Sequence, residues 1–391
     1  MELTPAFEAL VCTATGERYD RDAAGRSEAG APLDPVYDLD AAADVLDRET
    51  VAAARSVWDL AAVLPFPAGD AVTAAEGGTP LVETVSVAEE LGVGAAYVKD
   101  ESRNPTGTVY DRGLSVAVTD AAARDVELVA LASPGNSGQS AAAYAGRAGL
   151  RSYAFVPSRA PFSNKAMVNV HGGEMRVVGG RYPDAEAAVD DLQSDYHSLQ
   201  EFTSPYRHEG AKTVAYELLA DLGWLAPDAV VVPAATGEVV YGIAKGFREC
   251  RELGLVDDVP PLYAAQPTGC APIVGAVESG HGVEPWAQPD TIVGELEVPD
   301  PAGGDLAVEA IAGTGGDAVA VDDDEILESA TTLAATEVLE VGAAGGAAAA
   351  GAWTLAEEGA FDDDDVVVLL NTESGTKTAD VLRSHLMGQG I

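Results

Sequence analysis

Lysine is nearly absent from this chain: five residues in 391, beside 17 arginines, so that 22 basic side chains face 64 acidic ones for a net charge of −42. That balance excludes DNA or RNA as a partner, because no basic stripe is present to release phosphate counterions. The acid runs along the whole chain instead of gathering in a tail, which argues against a surface built for one basic partner. Adaptation to molar salt is the better reading, since salt at that level shortens the Debye length to about 3 Å and screens the self-repulsion. A halophile's cytoplasm is the expected setting.

Cysteine is equally scarce. Cys12, Cys250 and Cys270 lie far apart with no CxxC pairing, which excludes a disulfide framework and an in-chain zinc knuckle. Long apolar runs are missing too, and nothing approaches the ~18 residues of a membrane span. The start Met1-Glu2-Leu3 lacks the basic region of a signal peptide. A soluble, cytoplasmic protein with no membrane partner is therefore expected.

What is present is a large apolar fraction, 47%, enough to bury a substantial core in two or three domains. Residues 1–75 read as a polar, turn-rich opening followed by a helical stretch at 40–62. From about residue 80, short β-rich runs alternate with alanine-rich segments of helical length. The runs include Ala96-Tyr97-Val98, Leu128-Val129-Ala130-Leu131, Tyr153-Ala154-Phe155-Val156, Met175-Arg176-Val177-Val178, Ala229-Val230-Val231-Val232, Pro261-Leu262-Tyr263-Ala264 and Val366-Val367-Val368-Leu369-Leu370. That rhythm predicts open parallel sheets flanked by helices, in two α/β domains. The small-residue tract 342–352 reads as a buried helix end, and the four aspartates at 362–365 as a solvated loop without the central glycine of a calcium site.

Three strand-to-helix junctions have the design of ligand loops. Ser133-Pro134-Gly135-Asn136-Ser137-Gly138 could aim backbone N–H groups at a small carboxylate over a helix N-terminus, or be a turn with a serine cap. Pro233-Ala234-Ala235-Thr236-Gly237-Glu238 resembles a phosphate cup spoiled by its glutamate, although a glutamate in a first helical turn is also ordinary helix chemistry. In the third, Thr372 follows the last strand within Leu370-Asn371-Thr372-Glu373-Ser374-Gly375-Thr376-Lys377, where its hydroxyl could meet a heteroaromatic nitrogen.

In order along the chain these pieces resemble the threonine synthase family of fold-type II (tryptophan synthase beta-like) pyridoxal-phosphate enzymes. Glu76-Gly77-Gly78-Thr79-Pro80-Leu81 is similar to the family's G-N-T-P-L entry, and Tyr97-Val98-Lys99-Asp100-Glu101-Ser102-Arg103-Asn104-Pro105-Thr106-Gly107 to its Y-V-K-D-E-x-x-N-P-T-G run. The family continues S-F-K-D-R-G, with the lysine holding the cofactor as an aldimine. Here the text is Thr108-Val109-Tyr110-Asp111-Arg112-Gly113, so Tyr110 stands at the lysine position. Ser133-Pro134-Gly135-Asn136-Ser137 resembles S-T-G-N-T, which implies cofactor contact for Asn136 and substrate-carboxylate contact for Ser133, Gly135 and Ser137. Ser204-Pro205-Tyr206-Arg207-His208-Glu209-Gly210-Ala211-Lys212-Thr213 resembles N-P-Y-R-x-E-G-Q-K-T, which places Ser204 near the substrate phosphate. Thr236 and Gly237 would be the cofactor-binding remnant of a P-x-G-N-G-G cup, and Thr372-Glu373-Ser374-Gly375-Thr376-Lys377 stands for T-G-x-G-x-K.

The resemblance implies an α/β, fold-type II architecture of two parallel-sheet domains with a cleft between them. It divides the chain into an N-terminal segment at 1–75, a large domain at 76–114 and 200–391, and a small domain at 115–199. Leu10-Val11-Cys12-Thr13-Ala14-Thr15-Gly16 resembles the start of the family's zinc ribbon, whose four ligand positions fall on Cys12, Thr15, Arg26 and Ala29. One thiolate cannot hold tetrahedral zinc, so no metal is expected. The family reaction turns O-phosphohomoserine into threonine and phosphate. With lysine, cup glycines and zinc ligands replaced, a pseudoenzyme is expected. It would bind a small anionic amino-acid-like ligand and assemble as a homodimer or with an active paralogue. The alternative is an active pyridoxal-phosphate lyase or synthase with unusual cofactor anchoring.

Overall fold

The computed structural model describes residues 2–23 and 25–388. Strands Ala95–Asp100, Ala229–Pro233, Leu262–Pro267, Ala318–Val321 and Val366–Asn371 form a parallel sheet, closed at one edge by the antiparallel strand Leu81–Glu83. A second, all-parallel sheet runs Glu174–Val178, Arg151–Pro157, Leu128–Ala132, His197–Ser198. The mixed α/β architecture read from the sequence is thus present, with every expected strand in one of these two sheets.

Alternation along the central strands divides the apolar side chains of the larger sheet between its faces. Val230, Val232, Leu262, Ala264, Val368 and Leu370 pack with residues of helices Thr213–Asp221, Glu238–Glu252 and Gly304–Thr314. Ala229, Val231, Ala265, Val367 and Leu369 face the other way, towards helices Asp323–Glu337 and Ala343–Glu357. Each valine or leucine sealed in this way contributes ~1.5–3 kcal/mol. Helix Ala343–Glu357 contains the small-residue tract, which forms most of the helix and not merely its end. A Cβ added at Gly346 would lie 2.3 Å from the Ile326 carbonyl, and one at Gly351 would lie 2.9 Å from the Ala265 side chain. The tract is small because the helix lies that close to its neighbours. The aspartates at 362–365 form the expected turn before the last strand.

The opening differs from its turn-rich reading. Phe7–Cys12, Arg18–Tyr19 and Leu33–Tyr37 pair as a three-stranded antiparallel sheet. The stretch 40–62 is not one helix but Leu39–Ala43, Arg48–Ala53 and the 3₁₀ segment Val57–Val63. Side-chain acceptors restart it: Asp47 caps the second piece through Thr50 N–H, and Asp59 closes a capping box with Ser56 at the third. The Cys12 thiol lies 3.2 Å from the Ser27 hydroxyl.

Buried cations tie these parts together. Arg112 is fully buried, with Nε 2.6 Å from Glu101 Oε2 and Nη1 2.6 Å from Glu217 Oε1, and Lys99 also reaches Glu217 at 3.0 Å. Lys212 bridges Glu209 and Glu249 at 2.7 and 2.9 Å. Lys245 bridges Asp34, on the N-terminal sheet, to Glu209 at 2.7 and 2.6 Å. Asp34, His208 and Glu209 are grouped closely enough to hold a metal ion, but the Lys245 ammonium already supplies the positive charge there. No helix among the described residues is long and apolar enough to cross a membrane.

These buried charges have measurable consequences for stability. Arg112→Met leaves Glu101 without its cation, so unfolding in high salt should show a loss of about 3–5 kcal/mol. Glu186, on helix Tyr182–Asp190, is pushed up to about 8 by burial and then by the charges of Glu201, Asp300 and Asp190. A raised carboxyl costs nothing while neutral in both states, and its penalty grows as pH rises from the unfolded value through the folded one. Glu186→Gln should match the wild type in unfolding midpoint near pH 4 and exceed it above pH 8.

Candidate cofactor cleft

Loops at the carboxyl ends of strands from both sheets converge on one point, the usual place for a ligand in such sheets. Tyr110 opens helix Tyr110–Ala123, Pro134 and Asn136 follow strand Leu128–Ala132, and Ala235 and Thr372 follow strands Ala229–Pro233 and Val366–Asn371. With Glu295 they enclose a cavity of about 20 Å³. Such a space holds about one water molecule.

Of the residues singled out from sequence, Tyr110, Asn136 and Thr372 line this cavity. The serine loop is spent on itself: Ser133 Oγ accepts from Gly135 N–H at 3.0 Å, Gly138 N–H at 2.8 Å and Ser137 Oγ at 2.8 Å. The turn with a serine acceptor therefore describes Ser133, Gly135 and Ser137, and the amides of Gly135 and Gly138 are already satisfied. Ser204 lies elsewhere, with a buried hydroxyl that has no partner. Thr236 and Gly237 are also off the cavity wall. Gly237 has φ +85°, and a Cβ there would meet the Gly303 carbonyl at 2.4 Å, so packing alone requires glycine.

The cup is filled by an ion pair. Arg207 Nε and Nη2 reach Glu238 Oε1 and Oε2 at 2.9 and 2.6 Å, while Nη1 binds Glu201 at 3.0 Å and the Leu199 carbonyl at 2.8 Å. The Arg207 guanidinium lies 5.8 Å from the Tyr110 ring centroid. Burial, then Glu238, pushes the Tyr110 phenol above its ordinary range, so it keeps its proton at neutral pH. Glu373 is also engaged: it accepts from the Asn136 amide and, at 3.2 Å, from Ala344 N–H. Burial raises the Glu373 carboxyl. Lys377 is buried beside this wall, donating to Gln139 Oε1 at 2.8 Å and Asn164 Oδ1 at 3.1 Å, and burial pulls its amine below the usual lysine range.

Glu295 was missed from sequence. It sits in the turn Gly294–Leu296, 6% exposed, within Val293-Gly294-Glu295-Leu296-Glu297-Val298. Two glutamates inside an apolar run were the available signal. Glu297 is buried as well and pairs with Arg159 at 2.6 Å.

These residues do not fit pyridoxal phosphate. The cavity is an order of magnitude too small for a phosphorylated pyridine. The cup is occupied by the Arg207–Glu238 pair, which a phosphate would have to displace. Tyr110 brings a phenol and no amine to the cavity wall.

Comparison with known proteins bears on the fold and its ancestry. A family model described as pyridoxal-phosphate dependent enzyme matches residues 72–373. A threonine synthase of Methanosarcina acetivorans is 35% identical over 338 residues, spanning 85% of this chain and 83% of that protein. One from Methanocaldococcus jannaschii is 34% identical over 332 residues, spanning 83% and 82%. Among solved structures, diaminopropionate ammonia lyase from Escherichia coli matches with a TM-score of 0.69 at 18% identity, over 80% of this chain and 88% of its own. Maize serine racemase matches with a TM-score of 0.67 at 20% identity, over 80% and 94%. At those identities the likeness concerns the fold alone. The chain belongs to the family of pyridoxal-phosphate dependent enzymes and is threonine synthase-like within it.

Proposed function

We propose that this chain is a pseudoenzyme of the threonine synthase family, keeping the scaffold in a salt-rich cytoplasm without running the family reaction on O-phosphohomoserine. The observation that carries this reading is the Arg207–Glu238 pair in the cup, together with Tyr110 at the lysine position. The retained Asp-Arg-Gly run does not weigh against it. Asp111 holds Thr106 and Ser140, Arg112 holds Glu101 and Glu217, and a Cβ at Gly113 would strike the Arg207 carbonyl at 2.3 Å. All three residues have structural work independent of a cofactor. Tyr110 as a general base is disfavoured by the same burial that keeps its phenol protonated. The nearby cations are also committed, Arg207 to Glu238 and Glu201 and Lys377 to Gln139 and Asn164, which disfavours the small anionic ligand expected from the resemblance. Function would then lie in assembly, as a homodimer or with an active relative.

One observation favours the competing reading of an active enzyme with unusual anchoring. Lys377 is a buried amine with a depressed proton affinity near Asn136, as a Schiff-base lysine requires. The other lysines are committed elsewhere: Lys99, Lys212 and Lys245 to carboxylates, Lys165 to the Ser158 carbonyl.

Incubation with pyridoxal phosphate in high salt, followed by borohydride reduction and peptide mass mapping, separates the two. The expected result is no aldimine absorbance and no modified lysine; modification of Lys377 would establish the enzyme reading. Tyr110→Lys alone should remain colourless, because the cup stays filled. Tyr110→Lys combined with Glu238→Gly and Glu373→Gly should take up cofactor and develop the aldimine band. Light scattering of the chain alone, and mixed with an active threonine synthase, should reveal the assembly.

A further inference from the structure

We propose that the free edge of strand Glu174–Val178 is a self-association surface, on which a second copy of this chain pairs antiparallel about a two-fold axis at Met175. Glu174 of each copy then lies opposite Arg176 of the other, and the two smaller sheets become one continuous sheet. The proposal rests on the assembly part of the reading above and gives that assembly a surface and a register.

Three observations lead there. The first is the edge itself. Among the described residues, strand Glu174–Val178 is paired on one side only, with Arg151–Pro157. Ser158 N–H donates to the Val178 carbonyl at 2.9 Å, so by alternation Val178, Arg176 and Glu174 turn their backbone groups inward, and Met175 and Val177 turn theirs outward. Among the described residues the outward groups meet one weak acceptor, Asn169 Oδ1, 3.4 Å from the Met175 nitrogen. An edge in this state is a template for another strand. The second observation is composition. Between Glu127 and Asp184 the single carboxylate is Glu174, beside six arginines and lysines, in a chain with 64 acids. Exposed positions in this stretch include Arg147, Arg151, Phe162, Val170 and Val177, the last three 77, 70 and 50% exposed. Helix Phe162–Val170 packs beside the edge strand. Loss of acid, with arginine and apolar side chains in its place, is the composition of a covered patch and not of a solvated one. Two chains of net charge −42 can also meet here without setting acid against acid.

The third observation is the order of charge along the strand, and it sets the register. Glu174 and Arg176 share one face and pair within the chain at 2.7 Å, both partly exposed. A two-fold axis at Arg176 would oppose two arginines, and one at Val177 would leave both charges unopposed. An axis at Met175 sets each Glu174 against an Arg176 of the second copy, in the closely spaced pairs where side chains interact most. Val177 then lies opposite Gly173, whose missing side chain leaves the approach open, and the two Met175 residues exchange backbone bonds in place of the weak Asn169 contact. The same patch is used by both chains, so the contact closes as a dimer and does not propagate. In molar salt the ion pairs fix the register more than the strength, and the backbone bonds and the covered apolar surface supply the adhesion.

The test is light scattering and amide exchange on the full chain in high salt, over a range of protein concentrations. The wild type should reach dimer mass, with exchange at Met175 and Val177 slowing as concentration rises. Val177→Pro should give a folded monomer, because the N–H it removes points away from strand Arg151–Pro157. Glu174→Arg and Arg176→Glu should each weaken the dimer about tenfold, and the two combined should restore it. This charge exchange decides the matter if the proline variant fails to fold. A wild type that stays monomeric at every concentration would overturn the proposal. So would a dimer of unchanged strength in all the variants, which would leave assembly through another face standing. Pyridoxal phosphate is absent throughout; an aldimine band in a parallel sample that contains it would overturn the pseudoenzyme reading and leave the dimer result as it is.

Discussion

The structure depends on a few positive charges placed in its interior, Lys99, Arg112, Arg207, Lys212, Lys245 and Lys377. With 22 cationic side chains for 64 acids, the chain leaves most carboxylates without a cation and uses its buried cations to hold several elements together. Four of the five lysines are buried. Lys245 joins the N-terminal sheet, through Asp34, to the helix carrying Glu209, beside the His208–Asp34 and Tyr37–Glu209 contacts. Arg112 and Lys99 share Glu217, and Lys212 connects Glu209 with Glu249. Salt weakens an exposed pair far more than a buried one, so these pairs are the least sensitive to ionic strength. Their net worth over apolar packing is small, yet breaking one is costly. The sequence therefore has little freedom at these positions.

The same shortage explains how the cleft is closed. A phosphate site needs bare N–H groups and positive charge, and Glu238 and Glu373 engage groups here that could supply them. Glu238 takes the Arg207 guanidinium for itself, and Glu373 takes the Asn136 amide. Neither carboxylate is a defect, because each is hydrogen-bonded inside the protein. On the cavity wall, Glu295 Oε1 is buried without a hydrogen-bond partner.

Much of this architecture is legible in the amino-acid sequence. The central strands are visible because buried parallel strands read as short continuous β-branched runs such as Ala229-Val230-Val231-Val232. The edge strands Leu81–Glu83 and His197–Ser198 are not; they are too short and too polar to carry a period. The breaks inside 40–62 escape notice because composition favours helix throughout, and only the caps at Asp47 and Ser56 with Asp59 stop and restart it. In the cleft, substitutions at motif positions are legible as differences, but their partners are not. That Glu238 meets Arg207 thirty-one residues away, or that Glu373 meets Asn136 across 237, is a fact of topology.

Motif retention carries less functional information here than motif loss. Asp111, Arg112 and Gly113 would be read as catalytic survivors in a linear text. In three dimensions they are a turn anchor, a buried salt-bridge centre and a helix-contact glycine. Each would be kept by stability alone, whatever became of the chemistry one residue earlier. Tyr110 is different, because nothing in the fold demands tyrosine there: its ring fills cleft space beside Arg207, where a lysine ammonium would compete for Glu238. An amine at position 110 would stand near the buried Glu238 carboxylate, which favours its protonated form and works against its use as a nucleophile.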